Sequence, residues 1–162
     1  MNSVLPEKYK KVICQIADEL NKHHINWVLL GSSNLRLQGI KNDDSDIDIC
    51  TDQKGAELFE ELFVDKMIKP VIYSTLPEQY RSYFGTFNFD GILVEVMGEF
   101  EIFDVEHKKW IEAINNKKII TRSVGNSIIF ANTLDHELEM YRARGRIDKA
   151  QLIIKNFVEK FR

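Results

Sequence analysis

The chain has 162 residues, of which 44% are apolar and 29% are charged, and its formal net charge is −3. These proportions exclude a disordered or membrane-spanning chain, and the length suits a single domain with a substantial buried core. The small negative charge excludes a general attraction for nucleic acid, which usually binds to a basic surface. Because the N-terminus carries no apolar leader and no apolar stretch is long enough to span a bilayer, we expect a cytoplasmic protein without a membrane anchor.

The cysteine content also restricts the class of protein. Only Cys14 and Cys50 are present, too few for a disulfide framework. Cys14 lies beside Ile13 and Ile16 at an apolar position of a predicted helix. We therefore expect both thiols to be reduced and to have structural roles.

The first half of the chain alternates predicted helices and strands. Apolar residues recur at helical spacing over 6–23, and the apolar run 25–31 that follows is a predicted strand ending at Gly31. Ser32 can cap a helix of one or two turns over 33–39. The remaining elements predicted for this half are a strand over 45–51, a helix over 54–66 and a strand over 69–74.

The second half contains the strongest local signal, a β-hairpin over 86–98 in which Asp90-Gly91 joins two alternating segments. Apolar spacing around Trp110 predicts a helix over 104–116. The patterns that follow predict strands over 118–124 and 126–131 and helices over 133–144 and 148–161, separated at Gly145.

These elements together predict the class of fold. Strands that alternate with helices, combined with one antiparallel hairpin, indicate an α/β or α+β fold with a mixed sheet flanked by helices. We expect residues 1–132 to form the core. Residues 133–162 should form a short C-terminal helical tail of the same compact domain.

Five aspartates fall within residues 43–52, in the predicted acidic strand and the loop before it. Side chains alternate along a strand, so Asp46 and Asp48 project to one face, with their α-carbons about 7 Å apart. Without a cation, two such carboxylates repel each other, and the pKa of at least one should rise. Mg²⁺ favours a few carboxylate oxygens and leaves its other positions to water or phosphate oxygens. The pair therefore indicates a metal site for phosphoryl chemistry, although a solvated acidic strand edge gives the same pattern.

A third acid lies in the second strand of the predicted hairpin. Ile92, Val94 and Val96 fit one face of this strand, so Glu95 projects to the other face. If the hairpin lies beside the acidic strand, Glu95 can complete a site for two metal ions about 3.5–4 Å apart. The alternative is a solvent-facing acid on an edge strand.

A Gly-Ser pair separates the first predicted strand from the short helix. Gly31 lets the backbone approach a ligand closely, and Ser32 with Ser33 presents hydroxyl and amide groups where a helix start favours phosphate. An ordinary strand-to-helix turn with a serine cap is the alternative. The combination of this turn with three acids favours the ligand-binding interpretation.

Gly31-Ser32, Asp46-Ile47-Asp48 and Glu95 together resemble the signature of the nucleotidyltransferase superfamily related to DNA polymerase beta. The resemblance covers residues 26–100, and the tail over 134–153 is similar to the closing helices of small-molecule members such as lincosamide and aminoglycoside nucleotidyltransferases. The resemblance implies a mixed sheet flanked by helices, with Mg²⁺ bound by the three acids and a triphosphate held by the Gly-Ser turn. It also implies that the third acid can act as general base.

The chain departs from the family pattern in two places. Many minimal members continue the Gly-Ser pair with Ala-Arg-Gly, whereas residues 33–36 are Ser-Asn-Leu-Arg, so a phosphate contact is not transferred to Arg36. The third acid is Glu95 where many relatives have Asp, and its longer side chain can reach a metal differently or serve as a base. The short tail leaves no room for a large substrate domain, which suggests that a second subunit completes the pocket.

Two further clusters carry weaker signals. The first is a basic cluster near the last helices, made of Arg142, Arg144, Arg146 and Lys149. These residues can reach a phosphate or an acidic acceptor, although basic residues are also favoured at helix C-termini for electrostatic reasons alone. Aromatic residues that can line an acceptor pocket, or belong to the core, are Tyr73, Tyr80, Tyr83, Phe84 and Phe87. Calcium-loop and zinc-protease patterns are rejected, because Ile49 and Met140 occupy required Gly and His positions.

Two functions from different classes follow. The first is an enzyme that transfers a nucleoside monophosphate, preferably AMP from ATP, to a hydroxyl of a small-molecule acceptor and releases pyrophosphate. Asp46 and Asp48 would bind two Mg²⁺ ions together with Glu95, which can instead be the general base, and Ser32 with the Gly31 amide would hold the β- and γ-phosphates. The second is a catalytically weak, antitoxin-type subunit that binds a helical protein partner. A homodimer is the other partner that the chain length suggests.

Overall fold

The computed structural model describes residues 2–161, which fold into an eight-stranded mixed sheet flanked by helices. The helices are α1 (Glu7–Lys22), α2 (Gly31–Leu37), α3 (Gln53–Leu62), α4 (Leu134–Ala143) and α5 (Ile147–Lys160). The strands are β1 (Trp27–Leu30), β2 (Ile47–Thr51), β3 (Met67–Leu76), β4 (Tyr80–Phe89), β5 (Ile92–Asp104), β6 (Lys109–Glu112), β7 (Ile119–Val124) and β8 (Ser127–Asn132). A 3₁₀ turn over Val64–Lys66 precedes β3. The predicted mixed sheet flanked by helices is confirmed.

The strand order brings β1, β2 and β5 together at the middle of the sheet. Along the sheet the order is β3-β4-β5-β2-β1-β8-β7, and β6 pairs with the last part of β5. β2 pairs with β5, and β1 with β8, in parallel, whereas the other pairings are antiparallel. Because β2 and β5 run in the same direction, the beginnings of these two strands lie side by side.

One face of the sheet, called the rear face here, is covered by α1 and α3. Phe59 of α3 is fully buried, and its ring centroid lies 4.8 Å from those of Phe63 and Phe87 and 6.3 Å from that of Phe89. The apolar stripe predicted for α1 is also buried, and consists of Val12, Ile13, Ile16, Ala17 and Leu20. The largest core cluster therefore lies behind the sheet.

The opposite face, called the front face here, is covered only in part. Met140 of α4 belongs to a buried front-face cluster with Val28 and Cys50, over the inner strands β1 and β2. Farther out, on β3 and β4, Ile72 is 62% exposed and Tyr80 is 41% exposed. The helices thus leave the front face open beside the middle of the sheet.

The hairpin predicted around Asp90-Gly91 is confirmed, and its strands are longer than the pattern indicates. Asp90 and Gly91 have φ of 54° and 90°, which is the positive-φ pair that the tight primed turn requires. From there β4 and β5 pair continuously in antiparallel register, except for a bulge between Arg81 and Tyr83.

The helix predicted over 104–116 is wrong. β5 continues to Asp104, a turn follows, and β6 returns along β5. The Asp104 carboxylate accepts the backbone N–H of His107 at 3.2 Å and lies 2.7 Å from the ring Nδ1 of His107, which closes the turn. The ring of Trp110 packs against that of Phe103 across the strand pair, at 5.1 Å. Pairing with a strand that already exists outweighs apolar helical spacing in so short a segment.

Both cysteines are free in the structure. Cys50 is buried, which raises the pKa of its thiol, and the half-buried Cys14 donates to the Val124 carbonyl at 3.6 Å. Across residues 2–161, no helix combines the length and the apolar character needed to cross a membrane.

Replacing Phe59 with alanine should lower the free energy of unfolding by about 3–5 kcal/mol, because the rear-face rings cannot fill the cavity. Urea unfolding followed by circular dichroism measures the loss. Phe161→Ala is the matched control, since that ring is 87% exposed and its removal should change the free energy by less than about 0.5 kcal/mol. Equal losses in the two variants would contradict the central position of Phe59.

Candidate functional site

Three carboxylates meet near the middle of the front face. Asp48 on β2 is the register partner of Glu95 on β5. Register partners in a parallel pair project to the same face of the sheet, from strands about 4.8 Å apart. Asp46 immediately precedes β2 and acts electrostatically on both other acids. The predicted adjacency of the acidic strand and the hairpin is confirmed, and the chemical roles of the three acids stay predictions.

The carboxylates hinder one another's ionisation. Burial raises the pKa of Asp48 well above its usual value, Glu95 and Asp46 raise it further, and Arg144 lowers it. Burial and Asp46 raise the pKa of Glu95, which Arg144 also lowers. Burial and Asp44 raise the pKa of Asp46. Negative charge here is only partly compensated by the protein, so a bound cation would stabilise the ionised forms.

The donor set suits a hard divalent cation. Mg²⁺ takes one or two carboxylates and fills its remaining positions with water or phosphate oxygens. Among residues 2–161, no group of three or more His, Cys, Asp or Glu side chains is already arranged as a metal centre. The residues fit the ion through their chemistry and their shared face, and Asp46, Asp48 and Glu95 are the side chains that would hold it.

Gly31 brings the backbone directly against one of these acids. Its φ is +74°, a conformation that residues with a side chain rarely adopt, and a Cβ atom built there would lie 2.5 Å from Oδ2 of Asp48. Any larger residue at this position would push the Asp48 carboxylate away. The glycine of the Gly-Ser pair is thus required by the packing of the site itself.

The two serines after Gly31 stabilise the approach to the acidic strand. The hydroxyls of Ser32 and Ser33 donate to the backbone carbonyl of Asp46, at 3.3 and 3.0 Å, and both side chains are buried. α2 begins at Gly31 rather than after Ser32, so both serines lie in its first turn. Their phosphate-binding role stays a prediction, and in this structure their hydroxyls position Asp46.

Glu137 on α4 is a site residue that the sequence analysis did not select. Its carboxylate is 1% exposed and accepts the backbone N–H of Gly31 at 2.7 Å and the amide of Asn34 at 3.1 Å. Burial raises the pKa of Glu137 to about 7, although the hydrogen bonds from Asn34 and Gly31 favour the charged form. The available signal was the position of Glu137 in the helical repeat, three residues before the apolar Met140.

The predicted basic cluster divides into separate parts. Arg144, at the end of α4, lines the same cavity as Asp48 and Glu95. Lys149 is buried and instead forms an ion pair with Asp44 at 3.0 Å. The remaining members are Arg142, which is exposed, and Arg146, which also pairs with Asp44, at 3.8 Å.

The loop before the acidic strand is held from both sides. Arg36 donates to the Asn42 carbonyl at 2.7 Å, and the side-chain amide of Asn42 donates to the Ser32 carbonyl at 3.1 Å. From α5, Lys149 donates to the side-chain oxygen of Asn42 at 3.0 Å. Arg36 therefore stabilises the loop, and no phosphate contact is assigned to it.

A cavity of about 410 Å³ lies beside the acids on the front face. Tyr80 and Phe84, two of the aromatic residues predicted for an acceptor pocket, line it, and its role as an acceptor pocket stays a prediction. The other aromatics of that prediction lie elsewhere: Phe87 is fully buried in the rear core, and Tyr73 packs against Tyr83 with ring centroids 5.0 Å apart. The cavity volume is in the range of small-molecule sites.

The fold and the acid-lined face define a nucleotidyltransferase-type enzyme. The family model for aminoglycoside-2''-adenylyltransferase matches residues 12–152. The chain therefore belongs to the aminoglycoside-2''-adenylyltransferase family and is an adenylyltransferase-like enzyme. No curated protein sequence matches the chain significantly.

Several solved structures are similar to the chain. A Thermotoga maritima protein, provisionally described as a nucleotidyltransferase, is 32% identical, with a TM-score of 0.79 and coverage of 97% of both chains. Lincomycin-bound LnuA, a lincosamide antibiotic adenylyltransferase, is 11% identical, with a TM-score of 0.55 and coverage of 94% of this chain and 98% of its own. ANT(2'')-Ia in complex with adenylyl-2''-tobramycin is 12% identical, with a TM-score of 0.56 and coverage of 94% and 91%. At such identities the last two show the fold alone.

The raised pKa of Glu137 should make the stability of the protein depend on pH. The unfolded chain releases this proton near pH 4.5, whereas the folded chain retains it up to about pH 7. The stabilisation that comes from protonated Glu137 is therefore fully present below pH 4.5 and is lost as the pH rises through about 7. We expect the free energy of unfolding to fall by about 3 kcal/mol across this window from Glu137 alone.

Glu137→Gln should remove much of that slope, because glutamine does not titrate and its side-chain oxygen can still accept the Gly31 N–H. Urea unfolding across the same pH window measures the slope. Glu61→Gln is the matched control, since this residue is exposed on α3. A Glu137→Gln protein with the slope of the wild type would contradict the buried, proton-binding state of Glu137.

Proposed function

We propose that the protein transfers AMP from ATP to a hydroxyl group of a small-molecule acceptor in a Mg²⁺-dependent reaction that releases pyrophosphate. The observation that carries the proposal is the register pairing of Asp48 with Glu95, next to Asp46, on an open face of the sheet. Family membership supports adenylyl transfer as the reaction. The relatives in complex with lincomycin and with adenylyl-2''-tobramycin support a small molecule as the acceptor.

The carboxylates would act through charge and position. Asp46, Asp48 and Glu95 would hold two Mg²⁺ ions, which when bound supply positive charge against the triphosphate. The acceptor oxygen forms a bond to the α-phosphorus, the bond from that phosphorus to the bridging oxygen breaks, and pyrophosphate leaves with the electron pair. Glu95 is either a third ligand or the base that takes the hydroxyl proton, and its raised pKa suits the second role.

The Gly-Ser turn would bind the phosphates of the donor. The first N–H groups of a helix have no partner within the helix and favour a negative charge. In this protein the Gly31 N–H already donates to Glu137, so the backbone N–H groups of Ser32 and Ser33 are the donors that we assign to the β- and γ-phosphates. Gly31 is instead assigned to let the backbone approach the donor nucleotide closely, and not to donate a hydrogen bond to it.

Association with a second subunit stays a prediction. The two predicted partners are a second copy of the chain and a helical protein, and the antitoxin-type binding function would involve the helical protein. The enzyme assignment from the family match makes catalysis the primary function. Cytoplasmic localisation likewise stays an expectation from the sequence.

Asp48→Asn should reduce Mg²⁺-dependent pyrophosphate release from ATP by at least about 100-fold, because it removes one of the carboxylates that would hold Mg²⁺. A coupled pyrophosphate assay measures the rate, and thermal shift with ATP, with and without Mg²⁺, measures donor binding. Asp65→Asn is the matched control, since Asp65 is exposed in the 3₁₀ turn. Unchanged turnover in folded Asp48→Asn protein would reject the assignment.

A further inference from the structure

The open part of the front face forms a platform beside the acids. Along β3 and β4, Leu76 pairs with Tyr80 and Ser74 with Ser82, and β4 pairs with β5 through Phe84 and Met97. Alternation along the strands turns these side chains to one face, where they line the 410 Å³ cavity. The platform is therefore continuous with the carboxylates on β2 and β5.

The walls of this cavity are mainly apolar. Its apolar and aromatic side chains are Leu30, Leu76, Tyr80, Phe84, Met97 and Phe100. Tyr80 and Leu76 are 41% and 39% exposed, so their surfaces are available to a ligand. The hydroxyls of Ser74 and Ser82 add neutral hydrogen-bonding groups among them. Such a surface binds a flat apolar body that carries a few hydroxyls.

The charges in the cavity do not suit a ligand with many ammonium groups. Among the described residues that line it, the acids are Asp48 and Glu95, both needed for the metal ions in the proposed reaction. The remaining charge is the positive Arg144. A polycationic aminosugar would therefore bring several charges to a cavity whose lining offers no further carboxylate, at a substantial desolvation cost.

We infer that the acceptor is an uncharged hydroxyl compound with an aromatic or alicyclic face, bound on the β3-β4-β5 platform, rather than a polycationic aminoglycoside. This inference rests on the proposed adenylyl transfer and specifies its acceptor. The apolar face of the acceptor lies on Tyr80 and Phe84, and one hydroxyl points toward Glu95. The cavity volume limits the bound part to a body of about one or two rings.

The experiment compares two acceptors, para-nitrophenyl glucoside and tobramycin, with the wild-type protein and Mg²⁺-ATP. Pyrophosphate release and the mass of the adenylylated product measure transfer, and calorimetry without ATP measures acceptor binding. Tyr80→Ala and Leu76→Ser should each raise the KM for the glucoside roughly tenfold, with little change in kcat or in the KM for ATP. Tyr73→Ala is the matched control, because it removes a ring that is also exposed, at 53%, from the opposite face of the same hairpin.

The outcomes separate this inference from the proposed function. Transfer to the glucoside supports the acceptor class. Tyr80-dependent binding of the glucoside without transfer also supports it. If, in that second case, the protein also fails to bind ATP, the result rejects the proposed adenylyl transfer but not the acceptor class. Preference for tobramycin in binding or transfer overturns the inference and leaves the proposed reaction intact. Failure of the glucoside to bind, or equal losses in Tyr80→Ala and Tyr73→Ala, also overturns it.

Discussion

The parallel pairing of β2 with β5 is the constraint on which the site depends. The same alternation that places Asp48 and Glu95 together in front places four fully buried aliphatic side chains behind, namely Ile47, Ile49, Val94 and Val96. Burial of each such side chain contributes about 1.5–3 kcal/mol, which offsets the cost of confining like charges on the other face. The rear core thus stabilises an arrangement that is unfavourable by itself, and the pKa values of Asp48 and Glu95 are raised first by burial and then by repulsion from the neighbouring acids.

α4 connects this arrangement to the rest of the protein. Glu137, Met140 and Arg144 lie three and four residues apart, so they share one side of the helix and its end. Glu137 receives the Gly31 N–H, Met140 fills the front-face cluster, and Arg144 reduces the repulsion between the acids. Because Gly31 lies against Asp48, a shift of α4 would change the geometry of the acids directly. The helix that closes the front face is therefore also part of the site.

The same partial closure shapes the acceptor site that we propose. α4 covers the inner strands β1 and β2, and the outer strands β3 and β4 remain available beside the carboxylates. Their exposed apolar side chains, including Ile72 and Tyr80, would otherwise be an unexplained cost on the surface of the protein. Family membership indicates the transfer reaction, whereas the side chains of this one chain decide the acceptor, because specificity lies in the site rather than in the fold.

Local sequence patterns were sufficient to predict the elements whose signals are local. The helical stripe of α1, the Asp90-Gly91 turn and the alternation around Asp48 and Glu95 each depend on neighbours only a few residues away, and the structure has all three. Tertiary structure decided the rest. The segment after Asp104 became a strand because β5 was there to pair with it, and Glu137 became part of the site because folding brought it to Gly31 across more than a hundred residues of chain. Local patterns fix which face a side chain occupies, but only the packing of distant elements fixes what that face meets.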